Sequence, residues 1–142
     1  MTTGTASNLD RQGLEILDPD TCWALIADTA IGRLAVMDAG EPMIFPVAHR
    51  VDGHSVVFRT TFGTKLTAAS MERPVAFEVD AFDDAARAGW SVVARGGATA
   101  VLDADEIAHL GSLGLEPWAD AVERDDWIRI RVDEISGRRI PS

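Results

Sequence analysis

The sequence predicts a mainly β fold, a small antiparallel barrel with short helices outside it. Six apolar runs rich in β-branched residues recur between residues 31 and 135. Two of them, PVAFEVDAF (74–82) and WIRIRVDEI (127–135), alternate apolar with polar side chains as half-buried strands do. Neighbouring runs are joined by tight turns rather than by helices, which argues against a doubly wound parallel sheet. The helical patterns are few and short.

The elements follow in order. DPDTCWALIADT (18–29) reads as a helix, with Asp18 as cap, Pro19 in the first turn and Asp20 at the positive end of the dipole. Cys22, Trp23, Leu25 and Ile26 gather on one face of it. IGRLAVM (31–37) is a strand, closed by the turn residues DAGEP. MIFPVAHRV (43–51) and HSVVFRT (54–60) flank a DG pair at Asp52 and Gly53, a hairpin signal. A short helix is expected from Gly63 to Met71, then the strand at 74–82. WSVVARGGATAVL (90–102) is a long strand in which Gly96 and Gly97 point to a bulge or bend. Asp103 caps a third short helix. The strand at 127–135 follows, and SGRRI is expected to add a short final one.

The 142 residues suit one domain with one core, expected over 14–142 behind a flexible tail at 1–13. A net charge of −10, from 13 Lys+Arg against 23 Asp+Glu, argues against nonspecific binding to nucleic acid or anionic membrane. The N-terminal residues lack an apolar signal core, and a single cysteine, Cys22, forms no intrachain disulfide. Both features fit a cytoplasmic protein. Small size makes a homodimer the expected assembly.

FRTTFGTKL (58–66) stands out in this acidic chain. Arg59 and Thr61 project from one side of a strand, and Thr64 and Lys65 fall at the start of the expected helix, where free N–H groups favour an anion. Thr60, Thr61 and Thr64 offer hydroxyls, Arg59 a bidentate guanidinium and Lys65 a point charge. The stretch fits a phosphate cradle, and it equally fits a strand end with solvated cations and a threonine cap. Composition alone does not choose. It is not a P-loop, because the glycine spacing and the Gly-Lys-Ser/Thr ending are absent.

Other motifs are quieter. One cysteine and no close His pair give no structural zinc site, and no metal is expected. DADE (103–106) lacks the glycine of a calcium loop. No nucleophile elbow occurs, and no side chain is assigned a catalytic role. Trp90 opens its strand where an aromatic ligand can stack. A cradle and aromatics without a catalytic set favour chemistry carried by a phosphate-bearing cofactor.

The order IGRLAV, PMIFPVAHRVDGHSVVFRTTFGTKLTAA, VAFEVDAFD, GWSVVARGGATAV and WIRIRVDEISGRRI resembles the pyridoxamine 5′-phosphate oxidase-like, flavin-binding split-barrel family. The likeness spans roughly residues 16–140 and is nearest to the actinobacterial flavin-nucleotide-binding, nitroimidazole-resistance-like branch. It implies a six-stranded antiparallel split β-barrel, a homodimer, and FMN held at the dimer interface. Carried over by motif, Arg59, Thr60, Thr61, Thr64 and Lys65 hold the flavin phosphate and ribityl chain. Pro46, Val47, Ala48 and His49 lie along the flavin ring. Trp90 and Ser91 approach it, often from the partner subunit, and Arg138 and Arg139 match a basic C-terminal region. The implied function is an FMN-dependent oxidoreductase acting on a small-molecule substrate. Its alternative is a noncatalytic module binding flavin, deazaflavin or haem, with His49 as an axial haem ligand. The chain departs from true pyridoxamine-phosphate oxidases where SGRRIPS replaces an Arg-Leu-His-Asp-Arg-like substrate motif, so vitamin B6 oxidation is not expected.

Overall fold

The computed structural model of the chain describes residues 8–60, 73–115 and 126–141. Along them run β1 (Glu15–Ile16), α1 (Pro19–Asp28), β2 (Ile31–Asp38), β3 (Glu41–Asp52), β4 (Ser55–Thr60), β5 (Pro74–Asp83), β6 (Ala88–Ala100), α2 (Ala104–Gly111) and β7 (Asp126–Arg139). The strand order is β1-β7-β4-β3-β2-β5-β6, and β6 pairs back to β7. Six strands therefore close a ring, every pairing in it antiparallel. The result is a six-stranded split β-barrel with two short helices among the described residues. β1 lies outside the ring as a two-residue addition to the end of β7.

Alternation of side chains decides what fills the barrel. Leu34, Phe58, Phe77, Ile128 and Ile130 point inward and have no exposed surface. α1 adds Cys22 and Ile26 to the same core. It starts where Asp18 accepts the Thr21 N–H at 2.7 Å, with Pro19 next, as a capped helix should. α2 starts on Asp103, which accepts the Glu106 N–H at 2.9 Å. It packs outside the wall, where Leu110 meets Val57, Val101 and Trp127 in a second apolar cluster. Arg129 ties this helix down by pairing with Glu106 at 2.8 Å and with Asp52 at 3.0 Å. His109 reaches the same Asp52 at 3.0 Å.

Three sequence expectations change in detail. The DG pair does mark a hairpin, but Asp52 pairs with Ser55, so the two-residue loop is Gly53–His54. Gly53 alone takes positive φ there, at 62°, which suits glycine as first central residue. SGRRI is no separate strand, because β7 continues unbroken to Arg139 against β6. The bulge occurs at Gly96, yet the extra residue is Asp133 on β7: Arg95 pairs with Glu134 and Gly96 with Val132. The expected helix at 63–71 lies outside the described residues. The described residues hold no helix long and apolar enough to cross a membrane.

At the bulge the two backbones nearly touch. A Cβ on Gly96 would sit 1.9 Å from the Arg131 carbonyl oxygen, whereas one on Gly97 would meet nothing within 4 Å. Gly96→Ala should therefore destabilise the fold by about 1–3 kcal/mol, and Gly97→Ala by less than about 0.5 kcal/mol. Urea denaturation midpoints of the two variants check this; equal midpoints would refute the close approach.

Candidate functional site

One group of candidate residues gathers where β4 ends. Register sets Arg59 opposite Trp127 of β7, and the Arg59 guanidinium lies 5.3 Å from the centre of the Trp127 ring. The ring is 6% exposed, so it forms a fixed apolar floor under the cation. On the other side, His49 pairs with Phe58. The β3–β4 ladder ends at that pair, with Ala48 next to His49 and Arg59 next to Phe58 in their strands. Thr60 is the last residue of β4 and pairs with Asp126. Thr61, Thr64 and Lys65 lie outside the described residues.

The stretch Pro46–His49 divides between two faces. Pro46 is exposed, and Ala48, though buried at 8% exposure, alternates onto the same side, which continues into Ile44, 70% exposed. Val47 and His49 point into the barrel at 2% and 1% exposure. The His49 ring packs edge-on against Phe77 with centroids 4.7 Å apart, and its Nε2 donates to the Ile26 carbonyl at 2.9 Å. Burial pushes its pKa below the ordinary histidine value, so the ring is neutral. Its Nδ1 has no hydrogen-bond partner among the described residues. An imidazole so enclosed offers neither nitrogen to a haem iron, and it cannot lie along a flavin on the outer face. Of these four residues only Pro46 is exposed; Val47, Ala48 and His49 are buried.

A second group gathers far from the first. Trp90 pairs with Arg139 and Ser91 with Arg138, so the four line one pocket of about 190 Å³. Phe82, Gly89, Leu14 and Ile140 complete its walls. Sequence reasoning missed what holds the two arginines. Asp10 accepts from Arg138 Nε at 3.0 Å, and Glu15 pairs with Arg139 at 3.1 Å. Residues 8–13, expected as tail, thus begin a segment tied to the barrel. No local signal announces these contacts, because the partners stand 128 and 124 positions apart. Trp127 and Arg138 stand eleven positions apart on β7, about 36 Å measured along the strand. Arg59 and the arginine pair cannot grip one phosphate from within one chain.

The outer face of the sheet carries a third feature the sequence did not flag. Register aligns Pro46, Arg33 and Glu78 across β3, β2 and β5. Arg33 lies 3.8 Å from Glu78 and 3.7 Å from Asp80. Partial burial, and then the neighbouring Asp80 carboxylate, push Glu78 up to about 7 against the pull of Arg33. Met37 and Ile44, both exposed, flank this row with apolar surface. Among the described residues no cluster of His, Cys, Asp and Glu could hold a metal ion.

An antiparallel split barrel with a cationic strand end, beside an outer face where apolar side chains flank a row of charges, defines a class of small barrel proteins. Its family follows from comparison with known proteins. The family model for pyridoxamine 5′-phosphate oxidase matches residues 18–139. An uncharacterized protein of Mycobacterium tuberculosis, Rv0080, is 35% identical over 129 residues, which are 87% of this chain and 84% of that protein. The structure is similar to that of the FAD binding protein from Mycobacterium smegmatis, with TM-score 0.76 and 36% identity, over 89% of this chain and 99% of that one. It is equally similar to a conserved protein of unknown function, DIP1874, from Corynebacterium diphtheriae, with TM-score 0.76 and 36% identity, over 88% and 96% of the two chains. The chain belongs to the pyridoxamine 5′-phosphate oxidase family.

The row of charges yields a pH prediction. Folding raises the Glu78 pKa, so the ionised carboxylate costs stability above pH 7, and the cost fades as pH falls through about 7 toward the ordinary 4.5. Asp80→Asn should lower the Glu78 midpoint without returning it fully, because burial remains. Carboxyl ¹³C shifts followed from pH 4 to 9 give the midpoint; a Glu78 titration that ignores the substitution contradicts the coupling.

Proposed function

We propose that the chain binds a flavin nucleotide and, as a homodimer, passes electrons between it and a small organic substrate. The observation that carries this is Arg59, fixed on the Trp127 ring at the end of β4 and next to the outer face bearing Ala48 and Pro46. The next residues, TTFGTKL, supply hydroxyls, a glycine and a lysine. A guanidinium next to a sheet face that presents Pro46 and Ile44 beside the Arg33–Glu78 pair suits a ligand with an anionic tail and a flat ring bearing polar edges. The 36% identical relative from Mycobacterium smegmatis is named for FAD binding, which supports the flavin part. FMN and FAD share the ring, the ribityl chain and the first phosphate, and that shared unit is what this face fits. The sequence favoured FMN; the relative's name keeps FAD in play, so both are tested.

Within this reading the chain's residues have separate tasks. Arg59 neutralises the phosphate, with Lys65, Thr60, Thr61 and Thr64 as its proposed companions. Trp127 fixes the guanidinium in place, so less freedom is lost when the anion arrives. Pro46 and Ala48 give the ring an apolar bed that sheds water. The Trp90–Ser91–Arg138–Arg139 group is too distant to serve the same flavin within one chain. We therefore propose that a second copy supplies it, across the exposed apolar surface around Met37 and Ile44. When bound, a flavin supplies two-electron chemistry, accepting hydride from a donor and passing both electrons to an acceptor such as a quinone or nitro compound.

One observation favours a second reading, a noncatalytic flavin carrier. Among the described residues, the one histidine near the first group, His49, is sealed inside, and both pocket arginines are ion-paired. Reduction of the bound flavin by NADPH or reduced deazaflavin, followed by reoxidation with an added quinone, separates the readings; a reduced flavin that no acceptor reoxidises favours the carrier.

Arg59→Ala and Lys65→Ala should each weaken binding of FMN by about 1.5–3 kcal/mol and leave riboflavin affinity nearly unchanged, because only FMN carries the phosphate. Quenching of flavin fluorescence measures both, with FAD titrated alongside. Equal losses for riboflavin and FMN would remove the phosphate role, and a chain that takes up none of the three ligands would overturn the flavin reading. Sedimentation at micromolar concentration reads the assembly, and a monomer there would overturn the shared site.

A further inference from the structure

We propose that the pocket at the end of β6 and β7 takes an uncharged planar ligand, and that Asp10 and Glu15 exclude anions from it by neutralising Arg138 and Arg139. The inference builds on the flavin reading only in naming this ligand as the substrate; the ligand preference itself follows from charges within one chain.

Two arginines side by side on neighbouring positions of a strand end would ordinarily invite a carboxylate or phosphate. Here each already has a carboxylate. Asp10 Oδ2 accepts from Arg138 Nε at 3.0 Å, and Glu15 grips Arg139 through both oxygens, at 3.1 and 3.3 Å. Arg138 also donates to the Gly137 carbonyl at 2.9 Å. Asp80 lines the same pocket, itself 3.7 Å from Arg33, while Asp10 and Glu15 stand behind the two arginine walls rather than in the lining. An incoming anion would have to displace a tethered carboxylate and face Asp80. The remaining walls are apolar, with Phe82 and Trp90 presenting rings and Leu14 and Ile140 aliphatic surface. Ser91 adds a hydroxyl on the pocket wall. A volume of about 190 Å³ exceeds the ~150 Å³ that accepts one benzene, so one substituted ring fits.

The carboxylates are held by more than their charges. Asp10 Oδ1 accepts the N–H groups of Gln12 at 2.8 Å and Leu14 at 2.9 Å, shaping the turn that delivers the segment. These bonds, led by that from Leu14, hold its carboxyl below the usual range. Glu15 and Ile16 pair with β7 through the backbone, and the Leu17 N–H reaches the Gly137 carbonyl at 3.1 Å. Removing charge therefore need not release the segment. Asn at position 10 keeps an oxygen for the two N–H groups, and Gln at 15 keeps its backbone pairing.

Benzamide and benzoate are matched probes, one neutral and one anionic. Their binding is read from the Trp90 indole N–H resonance, assigned with Trp90→Phe, on the full chain as purified. Wild type should bind benzamide at least about tenfold more tightly than benzoate. Asp10→Asn with Glu15→Gln should close most of that gap by strengthening benzoate binding, and Asp10→Asn alone should close part of it with the turn intact. A wild type that binds benzoate as well as benzamide, a ratio unmoved in both variants, or a Trp90 resonance untouched by either probe would overturn the proposal. Flavin absorbance recorded on the same samples shows separately whether the cofactor reading stands.

Discussion

β7 is the element on which the rest of this structure depends. It pairs with β4 on one side and β6 on the other, and its far end also receives β1. Closing a six-stranded ring requires two backbones to meet along nearly their full length, and here they bend together at one bulge. Gly96 makes the bend feasible because any side chain there would strike the Arg131 carbonyl. Asp133, the extra residue, shifts the register of everything beyond it. That shift places Arg138 beside Ser91 and Arg139 beside Trp90, so the composition of the distant pocket is set at the bulge.

The same strand keeps the two candidate groups apart. Its first residues support Arg59 through Trp127, and its last ones furnish the arginine pair. Even bent at its bulge, one strand does not fold back on itself to merge them. The division fits a site that two copies complete, and it gives the exposed Met37 and Ile44 a reason to remain apolar. Glu78 and Asp80 lie on that same face with only Arg33 between them. Partial burial already makes the Glu78 charge costly, so any further loss of water from this face would raise its pKa more. Association across the face and protonation of Glu78 should therefore favour each other.

What was legible in the sequence was local. Asp18 and Asp103 announce helix starts because a cap acts on residues two or three positions ahead. The strands announce themselves by residue type, and Gly96 marks the bulge. Which strand carries the extra residue did not show, because that is a matter of pairing with β7. FPVAHRV hid its two faces for a related reason. Nearly every residue in it is apolar, so no period of two reveals that His49 turns inward while Pro46 and Ala48 turn out. Arg59 was legible as a candidate anion ligand. The ring beneath it belongs to a strand 68 positions later and appears only once β4 and β7 are in register.

Charge pairing differs from place to place along this acidic chain. With a formal charge of −10, carboxylates are plentiful and most described arginines sit against one. Arg129 is taken by Glu106 and Asp52, Arg95 by Glu134, and Arg138 and Arg139 by Asp10 and Glu15. Arg59 also lies over an aromatic face, the Trp127 ring, which narrows where its guanidinium can go. A guanidinium held by a carboxylate offers shape and hydrogen bonds with little net field, so at Arg138 and Arg139 the pairing with Asp10 and Glu15 decides what a ligand in that pocket would meet.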